Sequence, residues 1–237
     1  MIALVVAVPI ALATAIYISE YAPHRVRRGL IALVDLMAAI PSILYALWGV
    51  FFLQPRLIGT FRWISDHLSF LPFFEVRGDH RPSSLTSSTL LAGLVVSLMV
   101  VPIVASISRE VFSQAPAGER EAAFALGASR WQMVRTVVLP FGKGGMIGAV
   151  MLGFGRAMGE TIAVALIISP TSELSWRVLE NHGYSIAALI ALRYQESTPA
   201  MLSSLMAAGL VLFVITLAFN ALSSIVISRS RSGAQTG

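Results

Sequence analysis

The chain has 237 residues, of which 56% are hydrophobic and only 12% charged, with a formal net charge of +5 and no cysteine. An ordinary soluble domain carries about 25% charged residues, so the composition excludes a water-exposed globule, a disordered chain, a disulfide scaffold and any Cys-based zinc site. Sixteen of the 17 cations are arginine, and no basic run is longer than His24-Arg25-Val26-Arg27-Arg28, a pattern that fits a membrane flank better than a nucleic-acid surface.

Crossing hydrocarbon takes about 20 mainly apolar residues at a rise of about 1.5 Å each. The first such stretch is 1–18, which is uncharged and has no charged flank before it. A secretory signal would carry a charged n-region and a small-residue cleavage site, so the run reads as a span, and a further helix upstream of it is expected. The second span, 30–53, holds Asp35 and Pro41. Asp35 is expected to serve as a buried cap or inter-helix partner. Residues 54–88 form a loop in which Leu57, Ile58, Phe61, Ile64 and Leu68 recur at helical spacing opposite Arg62, Asp66 and His67. That pattern predicts a helix on the membrane surface or packed across other spans. His67 and His80 have no second ligand at helical spacing, so no metal site is expected. The third span is 89–108 with Pro102, and both membrane prolines are expected to kink their helices.

Segment 109–143 is polar and has internal punctuation. Pro116 breaks the preceding helix, 119–126 reads as a short helix with acids in its first turn, and Gly127 suits a left-handed C-terminal cap. Ser129 then caps a second short helix, 130–138, that Pro140 is expected to end. Two short helices jointed by a glycine turn between spans fit either an ordinary folded loop or a docking element; the residues alone leave both open.

The fourth span, 144–168, contains Arg156 and Glu160. An arginine at mid-bilayer costs about 2.5–3.5 kcal/mol on insertion scales and must face protein or water. One reading is an i,i+4 ion pair that locks helix packing; the other is a cation on the path of an anion. The planar arginine fork suits an oxyanion. Phosphate also carries protons that a carboxylate such as Glu160 accepts, whereas sulfate carries none and is repelled. Gly145, Ala149, Gly153 and Ala157 recur every fourth residue, with Gly155 and Gly159 as a second pair, so close helix packing is expected along this span. Within the following loop, 169–200, residues 185–192 form an apolar patch suited to a re-entrant or interfacial helix. The fifth span is 201–227. Runs of this length without period-2 alternation exclude an outer-membrane barrel.

Ten of the Lys and Arg residues fall in 20–29, 109–143 and 229–237, and six in 54–88 and 169–200. The positive-inside rule then places the first group in the cytoplasm, with Met1 outside and the C-terminus inside.

Glu121-Ala122-Ala123, Gly127 and the distal Leu139-Pro140 together resemble the EAA motif of ABC-importer permease subunits. Two further stretches, from Asp35 through Pro41 to Gly49 and Gly155-Arg156-Ala157-Met158-Gly159-Glu160-Thr161, resemble motifs of phosphate-importer permeases of the PstC type. The resemblance runs from about residue 1 to 227. It implies an all-α, polytopic bundle of the type I importer kind, a single permease domain over 1–237 with 109–143 as its cytoplasmic coupling loop and 54–88 and 169–200 as external loops. It also implies location in the bacterial cytoplasmic membrane, coupling through Glu121, Ala122, Ala123, Gly127, Leu139 and Pro140, and a substrate path past Arg156 and Glu160. The family normally has six spans and a cytoplasmic N-terminus.

The implied partners are a second permease of the PstA type, two copies of a PstB-type ATPase, an extracytoplasmic PstS-type binding protein and the lipid bilayer. No G-x-x-x-x-G-K-[ST] loop occurs in the chain. Accordingly no catalytic residue is expected here, and ATP and magnesium are expected on the ATPase. Competing expectations are a permease for molybdate or phosphonate, or an ion-coupled anion carrier. The carrier would need inverted repeats or several membrane carboxylates, and only Glu160 and Asp35 lie in the spans.

Overall fold

The computed structural model of the chain describes residues 1–76, 87–168, 177–180 and 185–231. Among them the regular structure is all helical. Five helices are long and apolar enough to cross a membrane: Ile2–Tyr21, Ser42–Leu68, Thr89–Ser113, Arg130–Gly159 and Pro199–Ile225. We number the segments α1 (Ile2–Ile16), α2 (His24–Ala39), α3 (Ser42–Trp48), α4 (Gln54–Leu68), α5 (Thr89–Ser113), α6 (Ala117–Ala125), α7 (Arg130–Met133), α8 (Leu139–Gly159), α9 (Ile162–Ile167), α10 (Ile186–Arg193) and α11 (Pro199–Arg231).

Five spans are expected and five helices of spanning length are present, but their boundaries differ, most of all for the second and the fourth. The second expected span is divided at Pro41, which is extended (φ −58°, ψ 140°) and starts α3. Proline lacks the N–H that would continue the helix, so one helix ends before Pro41 and another starts after it, where a kink is expected from the sequence. The helix then runs on through a wide i→i+5 turn at Gly49–Leu53 into α4, so the amphipathic stretch is helical, as its spacing predicts, and continuous with α3. Pro102 behaves otherwise and lies inside an uninterrupted α5.

Pro140 does not end its helix either. A wide turn at Val134–Val138, in which the Leu139 N–H donates to the Val134 carbonyl, joins α7 to α8. Such a π turn just before the proline makes room for the ring and for the missing donor.

The chain divides into two compact units. The first comprises 1–4, 40–99 and 156–215. In it α3 packs on α9, with Ala46, Met99 and Ala163 buried together and Tyr45 beside them. Gly49 admits α5, since a Cβ there would lie 2.5 Å from Val95 Cγ2. Val178 is tied twice, its N–H donating to the Phe73 carbonyl (2.9 Å) and its carbonyl accepting from the Leu90 N–H (2.8 Å).

The second unit comprises 5–39, 100–155 and 216–237. Its core gathers Ala15, Phe112, Ala115, Met133, Val134 and Val138, with Ala123 and Leu139 against it. Asp35 is exposed and so no buried cap, but it is an inter-helix partner, accepting from the Ser106 hydroxyl on α5 at 3.1 Å.

The small-residue row of α8 faces α5. Ala149 is buried, a Cβ on Gly145 would collide with the Val111 side chain, and one on Gly153 would lie 2.7 Å from Val104 and 2.8 Å from Val100. Gly142 belongs to the same contact, with the Phe112 ring 2.6 Å from its notional Cβ; its offset of three from Gly145 hid it from a search at four-residue spacing. Gly155 and Gly159 differ, because a Cβ on either meets nothing within 4 Å. Gly153→Leu is therefore expected to destabilise the protein by about 1–3 kcal/mol through overpacking, while Gly155→Ala leaves it unchanged; thermal unfolding of the detergent-purified proteins checks both.

Candidate functional site

The segment between α5 and α8 is built from local signals. Helix α6 begins at Pro116 and carries Glu119 in its first turn, where the helix dipole favours an acid. It ends in a Schellman turn: the Gly127 N–H donates to the Phe124 carbonyl at 2.9 Å and the Ala128 N–H to the Ala123 carbonyl at 3.0 Å. Gly127 has φ +80°, the one positive φ among the described residues. Ser129 then opens α7 with a reciprocal capping box, its Oγ accepting from the Gln132 N–H (3.3 Å) and Gln132 Oε1 accepting from the Ser129 N–H (2.7 Å).

This joint presents two faces. Ala123 turns inward onto the core with Leu139, whereas Glu121, Ala122 and Pro140 are exposed. Phe124, Trp131 and Leu126, the last 89% exposed, leave the joint with apolar groups that its own chain does not cover. Sequence reasoning missed how the joint is held. Arg120 forks onto Glu20, with Nη2 3.2 Å from Oε1 and Nη1 donating to Oε2 at 3.3 Å, and Nη2 also donates to the Phe112 carbonyl at 2.6 Å. The partners are 100 residues apart, so no local pattern signals the pair.

The four-residue spacing of Arg156 and Glu160 predicts neighbours on one continuous helix. The structure ends α8 at Gly159 and restarts at Ile162, so each charge sits at a helix terminus. Arg156 lies in the last turn of α8, the end whose dipole favours a cation. Glu160 is buried, and its Oε1 accepts from the Ala163 N–H at 3.2 Å, capping the first turn of α9. Two carbonyls at the break are satisfied by side chains: Thr161 Oγ1 donates to Gly159 O at 3.0 Å and Ser185 Oγ to Glu160 O at 3.3 Å. Such satisfaction is what allows a spanning helix to be discontinuous in a water-poor layer. Among the described residues Arg156 has no ion-pair partner, and it is exposed.

Ser185 also caps α10 by accepting from the Ala188 N–H at 3.0 Å, so the apolar patch at 185–192 is helical. His67 accepts from or donates to no side chain in the described set; it bonds the Trp63 carbonyl at 3.0 Å and stacks on the Trp63 ring. His80 lies outside the described residues, and among those described no group of side chains has a metal-ligand arrangement.

Several helices of spanning length, a charged helix break and a two-helix joint with an exposed apolar face fit a membrane permease subunit. The sequence profile of the binding-protein-dependent transport system inner membrane components matches residues 7–232, and the chain belongs to that family. It is 44% identical over 220 residues to the phosphate transport system permease protein PstC 2 of Mycobacterium tuberculosis, covering 92% of this chain and 67% of the relative. Over 230 residues it is 38% identical to the phosphate transport system permease protein PstC of Xylella fastidiosa strain 9a5c, covering 97% and 70%. Among solved structures, a chain of the inward-facing MetNI methionine ABC transporter aligns with TM-score 0.63 at 15% identity, covering 97% of this chain and 88% of that one. The fold is thus that of an ABC-importer permease.

Proposed function

We propose that this chain forms half of the translocation path of an ATP-driven phosphate importer in the bacterial cytoplasmic membrane. In this reading the chain is one permease domain. Its 109–143 loop and C-terminus are cytoplasmic, and 54–88 and 169–200 are external. It pairs with a second permease of the PstA type and receives phosphate from a PstS-type binding protein. Two PstB-type ATPase subunits, carrying ATP and magnesium, push on the loop at Glu121, Ala122, Ala123 and Gly127, with Leu139 and Pro140 transmitting the push into α8. Arg156 and Glu160 line the path, and the open Gly155–Gly159 strip gives the second permease room to approach.

One observation carries the proposal: an exposed apolar joint, fixed in shape by the Gly127 turn and the Ser129 box, on a chain without a phosphate loop of its own. A joint of fixed shape with an uncovered apolar face is suited to receive force from a motor elsewhere. The anion is argued from the PstC relatives and from Arg156, whose fork suits tetrahedral oxyanions. The test is uptake of labelled phosphate by the complete complex in ATP-loaded proteoliposomes. Glu121→Lys inverts a charge on the docking face and is expected to lower uptake per ATP at least about fivefold, the lower edge of ordinary coupling energies. Excess sulfate is expected to leave uptake intact, and sulfate transport would defeat the phosphate assignment.

A further inference from the structure

The first membrane helix does not end in an ordinary helical turn. Tyr17–Tyr21 is a wide i→i+5 turn, closed by the Ala22 N–H donating to the Tyr17 carbonyl at 2.8 Å. Turns of this kind re-aim side chains and recur at functional sites. Here it presents two successive residues, Glu20 and Tyr21, and each receives one arginine from a different short helix of the joint. Arg120 of α6 forks onto Glu20, whose side chain is only 4% exposed. Arg130 of α7 stands over the Tyr21 ring at 5.6 Å. Ser19 completes the seat by donating its hydroxyl to Glu20 Oε1 at 2.7 Å.

The two arginines flank the Gly127 turn, so the contacts grip the joint on both sides of its hinge. Below the grip Ala15, with Leu12 and Ile16 beside it, packs into the same core as Phe112, Met133 and Val134. A two-pronged fork onto a buried carboxylate restricts geometry tightly, and an aromatic face under a guanidinium tolerates small sliding. The α6 side is therefore fixed and the α7 side yields.

We propose that the turn at Tyr17–Tyr21 is a clamp that sets the angle of the coupling joint against the first membrane helix, with Glu20, Arg120 and Tyr21 as positioning residues for the transfer of force. The proposal rests on the reading of 109–143 as the coupling loop. A joint free to swivel would absorb the motor's displacement; a clamped joint passes it to the spans.

The test uses the complete transporter in proteoliposomes and reads phosphate moved per ATP hydrolysed. Glu20→Gln keeps shape and removes the charge, and Arg120→Lys keeps charge and removes the fork. Each is expected to lower that ratio at least about fivefold in complexes that still contain all subunits. Tyr21→Ala is expected to lower it less, and Tyr21→Phe, which keeps the ring face, to restore it. A merely structural role would reduce the amount of complex without changing the ratio.

An unchanged ratio in Glu20→Gln and Arg120→Lys overturns the clamp. If the charge variants fail to assemble, the Tyr21 pair decides, since that ring is partly exposed; equal ratios for Tyr21→Ala and wild type then overturn it. Glu121→Lys run alongside separates the two levels. An effect there without one at the clamp defeats the clamp alone, and no effect at either defeats the coupling reading itself.

Discussion

Gly127→Pro is expected to abolish phosphate uptake by the assembled transporter, while Gly127→Asn retains most of it. Gly127 sits at φ +80°, and a proline ring holds φ near −65°. The proline also deletes the N–H that donates to Phe124, one of the two bonds of the Schellman turn. Space is not at issue, because a Cβ on Gly127 meets nothing within 4 Å. The effect is therefore one of backbone conformation, and it ranks substitutions in a way that bulk would not. Asparagine tolerates the left-handed region and should pass; alanine bears a cost of about 1–2 kcal/mol there and should fall between; proline is excluded from the conformation outright. For Gly127→Pro the expected loss in uptake per ATP is about a hundredfold, the upper range of coupling between sites. ATP hydrolysis should continue, since the ATP site is proposed on another subunit. The measurement is uptake and hydrolysis on the same proteoliposomes, with subunit content checked by gel. Proline and asparagine variants of equal ratio would remove the turn from the mechanism.

The same turn shows what a sequence discloses. Gly127 and Ser129 were legible because caps are local: a left-handed residue and a hydroxyl three residues before its N–H donor need no distant partner. The number of spans was legible because hydrocarbon thickness fixes the length of an apolar run. Helix breaks were not. Pro41, Pro102 and Pro140 all lack a backbone donor, yet one ends a helix, one lies inside a helix and one follows a π turn. Pro102 is fully buried within α5, whereas Pro41 is exposed. The surroundings decide between them. The break after Gly159 was hidden for a similar reason, since one of its freed carbonyls is satisfied by Ser185, 25 residues on. The Glu20–Arg120 fork spans 100 residues and leaves no periodic trace.

The break after Gly159 changes what Arg156 and Glu160 are expected to do when mutated. On a continuous helix they would neutralise each other, and removing either would strand its partner. With each at its own helix end, the dipole of α8 favours Arg156 and the backbone of α9 favours Glu160, so the two separate. Arg156→Gln removes an exposed cation that no described carboxylate pairs, and the fold should tolerate it; uptake is expected to fall by about two orders of magnitude, as when a charge that stabilises a passing anion is deleted. Arg156→Lys should recover only part, because an ammonium is a point charge without the two-pronged fork. Glu160→Gln keeps an oxygen to accept from Ala163, so the α9 cap and phosphate uptake should survive. What it removes is the buried negative charge, and with it the repulsion that a fully ionised dianion meets; sulfate should then compete with phosphate where it did not before. Uptake and competition assays on the three variants in proteoliposomes read these outcomes directly. Wild-type uptake in Arg156→Gln would take the arginine off the path. A Glu160→Gln transporter still blind to sulfate would leave the carboxylate as a helix cap alone.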